Sequence, residues 1–425
     1  MEILNYNEKN LLEIVKRSKE DIDNILDIVS DILKDIEENG DESVLKYTEK
    51  FDNAKINDLK VSNEEIKNSY SALDKRLINA LKKAGKNIEK FHEKQIPKEW
   101  SVNINDGIEA GQIIRPINSV GCYIPGGRAA YPSTILMTVI PAKIAGVKRI
   151  ICSSPPQKDG KIMDAILVAA DIAGADEIYK VGGAQAIGAM AYGTETIPKV
   201  EKIVGPGNIF VTGAKKLVYG EVDIEFEAGP SEVLIIADET ANPEFIAYDI
   251  LSQAEHDPNS SCCLVTNDKT LAKKTKEEVE HKTQNAKRKE VIEESLNKYG
   301  KIVLTKTMEE SIELANAYAA EHLIISTKNN EEVLKLINNA GSIFLGNYSP
   351  VAAGDYGSGT NHVLPTAGGA KMYSGLSTES FIKKPTVQTI TKEGLESLEE
   401  IVLPIAEYEG FYAHADSVKV RLNKK

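Results

Sequence analysis

Residues 149–193 read RIICSSPPQKDGKIMDAILVAADIAGADEIYKVGGAQAIGAMAYG. The apolar run RIICSS, closed by prolines, predicts a strand, and MDAILVAADIAG, apolar at helical spacing and ending in glycine, predicts a helix. EIYKVGG repeats the strand and AQAIGAMAYG the helix. Upstream, IRPINSVGCYIPGG reads as strands running into a Gly-rich loop and STILMTVIPAKIAG as a helix. Downstream, KIVGPGN and IFVTGAKKLVYG repeat the step from strand through loop to helix. This βαβα alternation, sustained over roughly a hundred residues, predicts a parallel sheet flanked by helices.

The alternation resumes after EAGPSE, as if a second α/β unit began there. EVLIIAD predicts a strand, and NPEFIAYDILSQAEHD a helix with Asn242 as its cap and Pro243 at its first position. CCLVTN, KIVLTKT, HLIIST and SIFLG read as further strands, and the Lys- and Glu-rich stretch from Asp268 to Asn297 as solvated helix. NYSPVAAGDYGSGTNHVLPTAGG reads as a long Gly-rich loop, and loops of that length are often functional. From Asn10 to about Lys94 the texture is helical, with one run stopping at Gly40. The C-terminal run LESLEEIVLPIAEYEGFYAHADSVKVRLN is helical too, with a kink or break expected at Pro404. No solenoid repeat or low-complexity tract interrupts the chain.

The 425 residues suffice for two domains plus extensions, and 42% hydrophobic with 27% charged is ordinary for a globular protein. A net charge of -13 and a pI near 5.2 argue against nucleic acid or an anionic membrane as partner. No apolar run approaches the ~18 residues of a membrane span, and the polar start MEILNYNEKN does not resemble a signal peptide; a cytoplasmic protein is expected. The four cysteines form no CxxC pair and border strand-like runs, which predicts inert core thiols.

The six histidines are few enough for their positions to matter. In SQAEHD, a spacing of three puts Gln253 and His256 on one helix face, as two ligands of one metal require; alone, such a pair is usually a solvated face. In AEHLIIST, Glu321 and His322 sit where a helix meets a strand; adjacent residues face differently, which suits separate proton-transfer roles. A lone Glu-His pair is more often just the polar flank of a buried strand. Asp355 and His362 lie in the Gly-rich passage, where glycines permit close backbone approach to a ligand. Glu409 and His414 lie near the C-terminus, where a histidine is ordinarily exposed. YIPGG, VGGAQA and GPGN follow predicted strands and offer backbone N–H groups to a phosphate, but none is GxGxxG, and HExxH is absent. Individually each signal is weak; together they point to a metal- and nucleotide-dependent α/β enzyme.

The ordered set VGCYIPGG, VGGAQAIGAMAYG, KIVGPGN, EAGPSEVLIIAD, DILSQAEHD, AEHLIIST, AAGDYGSGTNHVLPT and EGFYAH closely resembles the histidinol dehydrogenase family, from about Ile108 to Arg421. The resemblance implies an α/β fold of two incomplete Rossmann-like domains with parallel sheets, one inserted in the other, plus helical N- and C-terminal extensions. It implies an N-terminal extension over 1–16 and a discontinuous first domain over 17–122 and 233–376. The inserted NAD-binding domain would span 123–232, and residues 377–425 would form a C-terminal extension exchanged in a homodimer. NAD+ contacts map onto Tyr123, Gln185 and Asn208, and the ligands of one Zn2+ per subunit onto Gln253, His256, Asp355 and His414, the last from the second subunit. Substrate contacts map onto Ser231, His322, Glu409 and the zinc ligands, and the acid–base pair onto Glu321 and His322. His362 also matches the family pattern, whereas His92 and His281 match nothing functional and are expected at the surface.

By this resemblance the substrate is L-histidinol, oxidised through L-histidinaldehyde to L-histidine in the last steps of histidine biosynthesis. His322 suits proton exchange near neutral pH, and Glu321 is the candidate for activating the water of the second oxidation. The nearest alternative is a paralogous zinc- and NAD-dependent dehydrogenase acting on another primary alcohol, such as a sulfonated diol. A zinc hydrolase would turn over without nicotinamide, and a dead binding subunit would not need both a metal site and an acid–base pair.

Overall fold

In the computed structural model, the described residues are 1–7, 11–15, 17, 22–126, 130–226 and 229–423. Gly127 of YIPGG, and Glu227 and Ala228 of EAGPSE, lie outside them. The first strands are β1 (Glu2–Asn5), β2 (Trp100–Asn105), β3 (Ile108–Gln112), β4 (Arg115–Pro116) and β5 (Ser119–Tyr123). Then come β6 (Arg149–Ser154), β7 (Glu177–Lys180), β8 (Lys202–Val204), β9 (Asp223–Ile224) and β10 (Glu232–Ala237). The rest are β11 (Ser261–Thr266), β12 (Gly300–Leu304), β13 (His322–Ser326), β14 (Ser342–Leu345), β15 (Ile382–Lys383) and β16 (Thr386–Ile390).

Two parallel sheets organise the chain. One has five strands in the order β7-β6-β5-β8-β9, the other six in the order β1-β12-β11-β10-β13-β14. Leaving aside the edge strand β1, each sheet starts from a central strand, winds one way for three strands, then returns to the other side of that strand. The strands carry apolar residues on both faces, as parallel sheets covered by helices on both sides demand. In β10, Val233, Ile235 and Ala237 face one core, and Leu234 and Ile236 the other. Each such buried side chain contributes about 1.5–3 kcal/mol on leaving water.

The expected mixed α/β architecture with parallel sheets and helical termini is what the structure shows, with local departures. The run expected to stop at Gly40 does so: Gly40 is non-helical, at φ 51°, and kinks the chain between two helical stretches within Leu26–Asp52. The Glu195 carboxylate accepts from Asp41 N–H at 2.8 Å and occupies the space a Cβ at residue 40 would need. The helices Leu26–Asp52, Asn63–Ala72 and Lys75–His92 pack on the helices of the five-stranded sheet, so by contact they side with that unit. Pro404 neither ends nor breaks its helix, which runs from Lys392 to Tyr408; the chain turns instead at Gly410, at φ 77°. The residue before that turn is the helix cap Glu409, and a second helix covers Tyr412–Arg421.

Two strand sets escaped the sequence reading. β1 adds itself in parallel to the edge strand β12. β2, β3 and β16 form an antiparallel sheet whose outer side chains Trp100, Val102, Ile104 and Val387 stand in solvent. Asn242 caps its helix by accepting from Glu244 N–H at 2.9 Å, with Pro243 in the first turn, as expected. All four cysteines are free of disulfides and buried; the contact with Cys122 and then burial raise the Cys152 thiol, and burial raises those of Cys262 and Cys263.

Candidate active site

β13 lies parallel to β10 with His322 opposite Val233, which brings Glu321 beside Glu232. The Glu232 peptide then serves both residues. Its N–H donates to Glu321 Oε2 at 2.7 Å, and its carbonyl accepts from His322 Nδ1 at 3.0 Å. Strand alternation had predicted that the two side chains point apart. Glu321 precedes the strand, so alternation does not govern it, and its Oε2 lies 3.5 Å from His322 Nδ1. With Nδ1 committed to the carbonyl, Nε2 is the position left for proton exchange. Nε2 is buried without a hydrogen-bond partner and lies 3.7 Å from Asp355 Oδ1.

Burial pushes the Glu321 carboxyl up to about 7, against the opposing pull of His322 and the Glu232 N–H. For His322, burial works downward, but the carboxylates of Glu321 and Asp355 and the Glu232 carbonyl outweigh it, raising the imidazole to about 9. At Asp355 burial works upward, yet the neighbouring His322, His362 and His256 hold the carboxyl below its usual range. A cluster of such displaced acids and bases is typical of a functional site.

Asp355 stands on a short helix, Val351–Tyr356, where the sequence had suggested only loop. His362 fastens that helix: its Nδ1 donates to the Asp355 carbonyl at 3.1 Å and its Nε2 accepts from Thr134 Oγ1 at 3.4 Å. His92, expected at the surface, is fully buried. Its Nδ1 donates to the Ile88 carbonyl at 2.8 Å, its Nε2 accepts from Asn361 Nδ2 at 3.2 Å, and Asn361 also donates to the Met137 carbonyl at 2.7 Å. A helical stripe hid this role, because His92 ends an amphipathic helix whose other face is polar. His281 is exposed, as expected.

Gln253 is in the last turn of the helix Pro243–Ala254, while His256 falls just past its end, tied back by its N–H to the Gln253 carbonyl at 3.2 Å. The helix carries its partial negative charge toward this end, which suits a bound cation. Gln253 is 2% exposed and its Nε2 has no partner, an orphaned amide of the kind a ligand must satisfy. His256 is exposed at its surface, and the charges of Asp355 and His322 both act on it. Among the described residues, no three His, Cys, Asp or Glu side chains form a metal-holding group by themselves. Ser231 immediately precedes β10 and accepts from Ser261 N–H at 3.0 Å. Glu409 and His414 are exposed on the C-terminal helices, where His414 stacks near Phe411 at 5.3 Å, and no hydrogen bond or ion pair among the described residues brings them to the cluster.

Tyr123, Gln185 and Asn208 all stand at the carboxyl edge of the five-stranded sheet. Tyr123 ends β5 and its hydroxyl accepts from Gly183 N–H at 3.1 Å. Gln185 is 1% exposed with both amide atoms unpartnered. Asn208 caps the helix Ile209–Val218, its Oδ1 accepting from Phe210 and Val211 N–H at 3.1 Å each. A cleft of about 790 Å³ lined by Lys202, Glu225, Phe226, Thr366 and Tyr373 touches none of these residues.

Sequence reasoning missed Glu232 itself. Its carboxylate pairs with Arg17 at 2.6 Å and accepts from Ala367 N–H at 2.8 Å, and Arg17 stacks on the Tyr318 ring. The available signal was a charged residue opening an otherwise apolar, buried strand, which needs a partner.

Two doubly wound parallel sheets, one edge carrying an orphaned amide and the other a carboxylate–imidazole pair, define an α/β enzyme. The histidinol dehydrogenase family model matches residues 15–422, and the chain belongs to that family. It is 59% identical to the histidinol dehydrogenase of Methanothermobacter thermautotrophicus, over 99% of both chains. It is 57% identical to that of Methanococcus maripaludis, over 98% of both. The crystal structure of histidinol dehydrogenase from Elizabethkingia anophelis superposes with a TM-score of 0.97 at 42% identity, covering 100% of this chain and 98% of the other.

Proposed function

We propose that this enzyme oxidises L-histidinol to L-histidine through L-histidinaldehyde, reducing NAD+ twice, in the last steps of histidine biosynthesis. The observation that carries the reading is the Glu321–His322 pair, both members bound to the Glu232 peptide and His322 Nε2 left unpartnered beside Asp355. NAD+ would bind at Tyr123, Gln185 and Asn208 and supply the hydride acceptor. Gln253, His256 and Asp355, with His414 from a second copy of the chain, would hold one Zn2+ per subunit, whose contribution when bound is to anchor and orient substrate. The carboxylate of Asp355 among the imidazoles of His322, His362 and His256 fits such an ion.

In the first oxidation, neutral His322, the minor form near pH ~7 for an imidazole raised to about 9, takes the hydroxyl proton at Nε2 as the carbinol carbon gives up hydride to NAD+. In the second, Glu321 removes a proton from water as it adds to the aldehyde, and protonated His322 returns its proton to the aldehyde oxygen, giving the hydrate. The hydrate then loses hydride to a second NAD+ and one hydroxyl proton to the now neutral His322, and the acid so formed releases its remaining proton to solvent as the carboxylate. Ser231 and Glu409 are proposed substrate contacts, and His362 holds Asp355 in place. The domain assignment follows the same reading, with 123–232 as the inserted cofactor unit between 17–122 and 233–376, although by contact β5 and the helices over 26–92 join the five-stranded sheet. An exchanged C-terminal extension is supported by Ile401, Ile405, Tyr408, Phe411 and Tyr412, all exposed on its helices. Large apolar groups left in solvent usually mark an interface, here a homodimer. The unpaired cysteines suit the reducing cytoplasm as the proposed compartment. Among the described residues, no helix is long and apolar enough to cross a membrane.

The test is NADH formation by purified protein with zinc, NAD+ and L-histidinol. Two NADH per histidinol support the reading, and one would remove the role given to Glu321. None, with folded zinc-loaded protein, would redirect the search to other primary alcohols. His256→Ala should lose bound zinc by elemental analysis, and full activity of that variant after exhaustive chelation would contradict the metal assignment.

A further inference from the structure

The five-stranded sheet reverses its winding between β5 and β8, and Gly205 is the first residue beyond β8 at that point. Ligands of doubly wound sheets bind in the crevice at the carboxyl ends of the two strands that flank such a reversal. Gly205 has φ +116°, and a Cβ there would come within 2.0 Å of the Tyr123 carbonyl oxygen, so GPGN lies directly against the end of β5. Three residues later Asn208 caps its helix.

Both polar groups of Gly205 are held by one buried ion pair. Its N–H donates to Glu225 Oε1 at 2.9 Å, and its carbonyl accepts from Lys215 Nζ at 3.1 Å. Lys215 Nζ also donates to Glu225 Oε1 at 2.6 Å, and the two side chains are 5% and 1% exposed. Replacing a buried pair of this kind by apolar groups is often harmless to stability, so the pair needs a reason beyond holding the fold together. Its reach to both ends of one glycine supplies that reason.

We propose that Lys215 and Glu225 are positioning residues that pre-form the GPGN loop and thereby set affinity for the dinucleotide. The inference rests on the reading that NAD+ binds at Tyr123, Gln185 and Asn208. A loop locked before binding spares the ligand the entropy of ordering it. Neither side chain needs to touch the cofactor, and histidinol binding at the other sheet is not involved.

The test is a Lys215→Met/Glu225→Gln double variant, which leaves no uncompensated buried charge and lets Gln still accept from Gly205 N–H. The expected result is a rise of about tenfold in KM for NAD+, the scale of one lost charge-assisted bond. KM for histidinol, kcat at saturating NAD+ and zinc content should stay within about twofold, a split that general destabilisation would not produce. Equal rises in both KM values, or none in either, overturn the proposal. Asn208→Ala separates the two readings. If it leaves KM for NAD+ unchanged, the cofactor site itself is misassigned; if it raises KM while the double variant does not, only the clamp fails. Should the double variant not fold, hydrogen exchange on the unaltered enzyme without NAD+ decides. Slow exchange of the Gly205 amide supports a pre-formed loop, and exchange at the rate of an open loop overturns it.

Discussion

The two parallel sheets share one winding. Strands β7-β6-β5-β8-β9 and β12-β11-β10-β13-β14 follow the same order, each reversing beside its first strand. They differ in which edge carries polar groups without partners. In the five-stranded sheet the unpartnered Gln185 amide sits at the carboxyl edge, where hydrogen-bonded Tyr123 and Asn208 join it around the reversal point. In the six-stranded sheet the carboxyl edge is closed on itself. Asp238 accepts from Thr240 N–H and Oγ1 and from Lys328 N–H, and Ser326 donates to Asn347. Its displaced acids and bases lie at the amino edge instead, where Glu321 and His322 open β13 and Glu232 opens β10. One topology therefore does not fix one working edge. What decides is where polar atoms remain unsatisfied once the backbone ladder and the helix caps have taken their share.

If the amino edge of the six-stranded sheet does the chemistry, His322→Ala should lower turnover by about 10²–10⁴-fold while bound zinc and NAD+ affinity stay as they were. Activity within tenfold of the parent in stopped NADH assays would break the contrast. Arg17→Met should come next. It leaves the Glu232 carboxylate buried without its cation, at a cost of about 3–5 kcal/mol, visible as a lower Tm by circular dichroism. Adding Glu232→Gln should recover most of that loss, and no recovery would mean that Arg17 acts through Tyr318 alone. At the carboxyl edge of the other sheet, Asn208→Ala should raise KM for NAD+ about tenfold, as expected for one lost polar contact plus the cap. KM for histidinol should not follow, and parallel changes would show that the two edges form one undivided site.

The smallest effect concerns Asp52, at the end of the helix packed on the five-stranded sheet. Its Oδ2 is buried without a partner, and burial raises the carboxyl from 3.8 to about 6. A carboxyl raised in the folded state binds its proton more tightly there, so its contribution is favourable at low pH and is lost as pH rises through about 6. Asp52→Asn should therefore stabilise by at most about 1 kcal/mol at pH ~8, after discounting for partial exposure, with the gain gone near pH ~4. Urea titrations at the two pH values read this directly, and a gain independent of pH would assign the effect to something other than ionisation.

Much of the architecture was legible because the inner strands of the parallel sheets are buried on both faces and several helices carry local caps that no tertiary contact needs to supply. EVLIIAD, HLIIST and KIVGPGN, with Asn242 and Pro243, are examples in which local chemistry and burial agree. β1 and the β2-β3-β16 sheet were not legible. β1 is a short edge strand, and the outer strands β2 and β16 are exposed along their whole length, so hydrophobic alternation has nothing to report. Pro404 does not break its helix, because a proline forbids one hydrogen bond without obliging a long, otherwise well-bonded helix to end.

The sequence by itself determined two α/β units, inert cysteines, and a resemblance that named the candidate residues one by one. Only the tertiary structure decided that Glu321 and His322 share the peptide of Glu232, and that His92 is buried beneath Asn361. It alone revealed that Lys215 and Glu225 grip Gly205. These are contacts between residues 10 to 269 positions apart. Local propensity and periodicity report which face of an element is buried, whereas a partner brought in by strand register or loop closure is set by the whole fold.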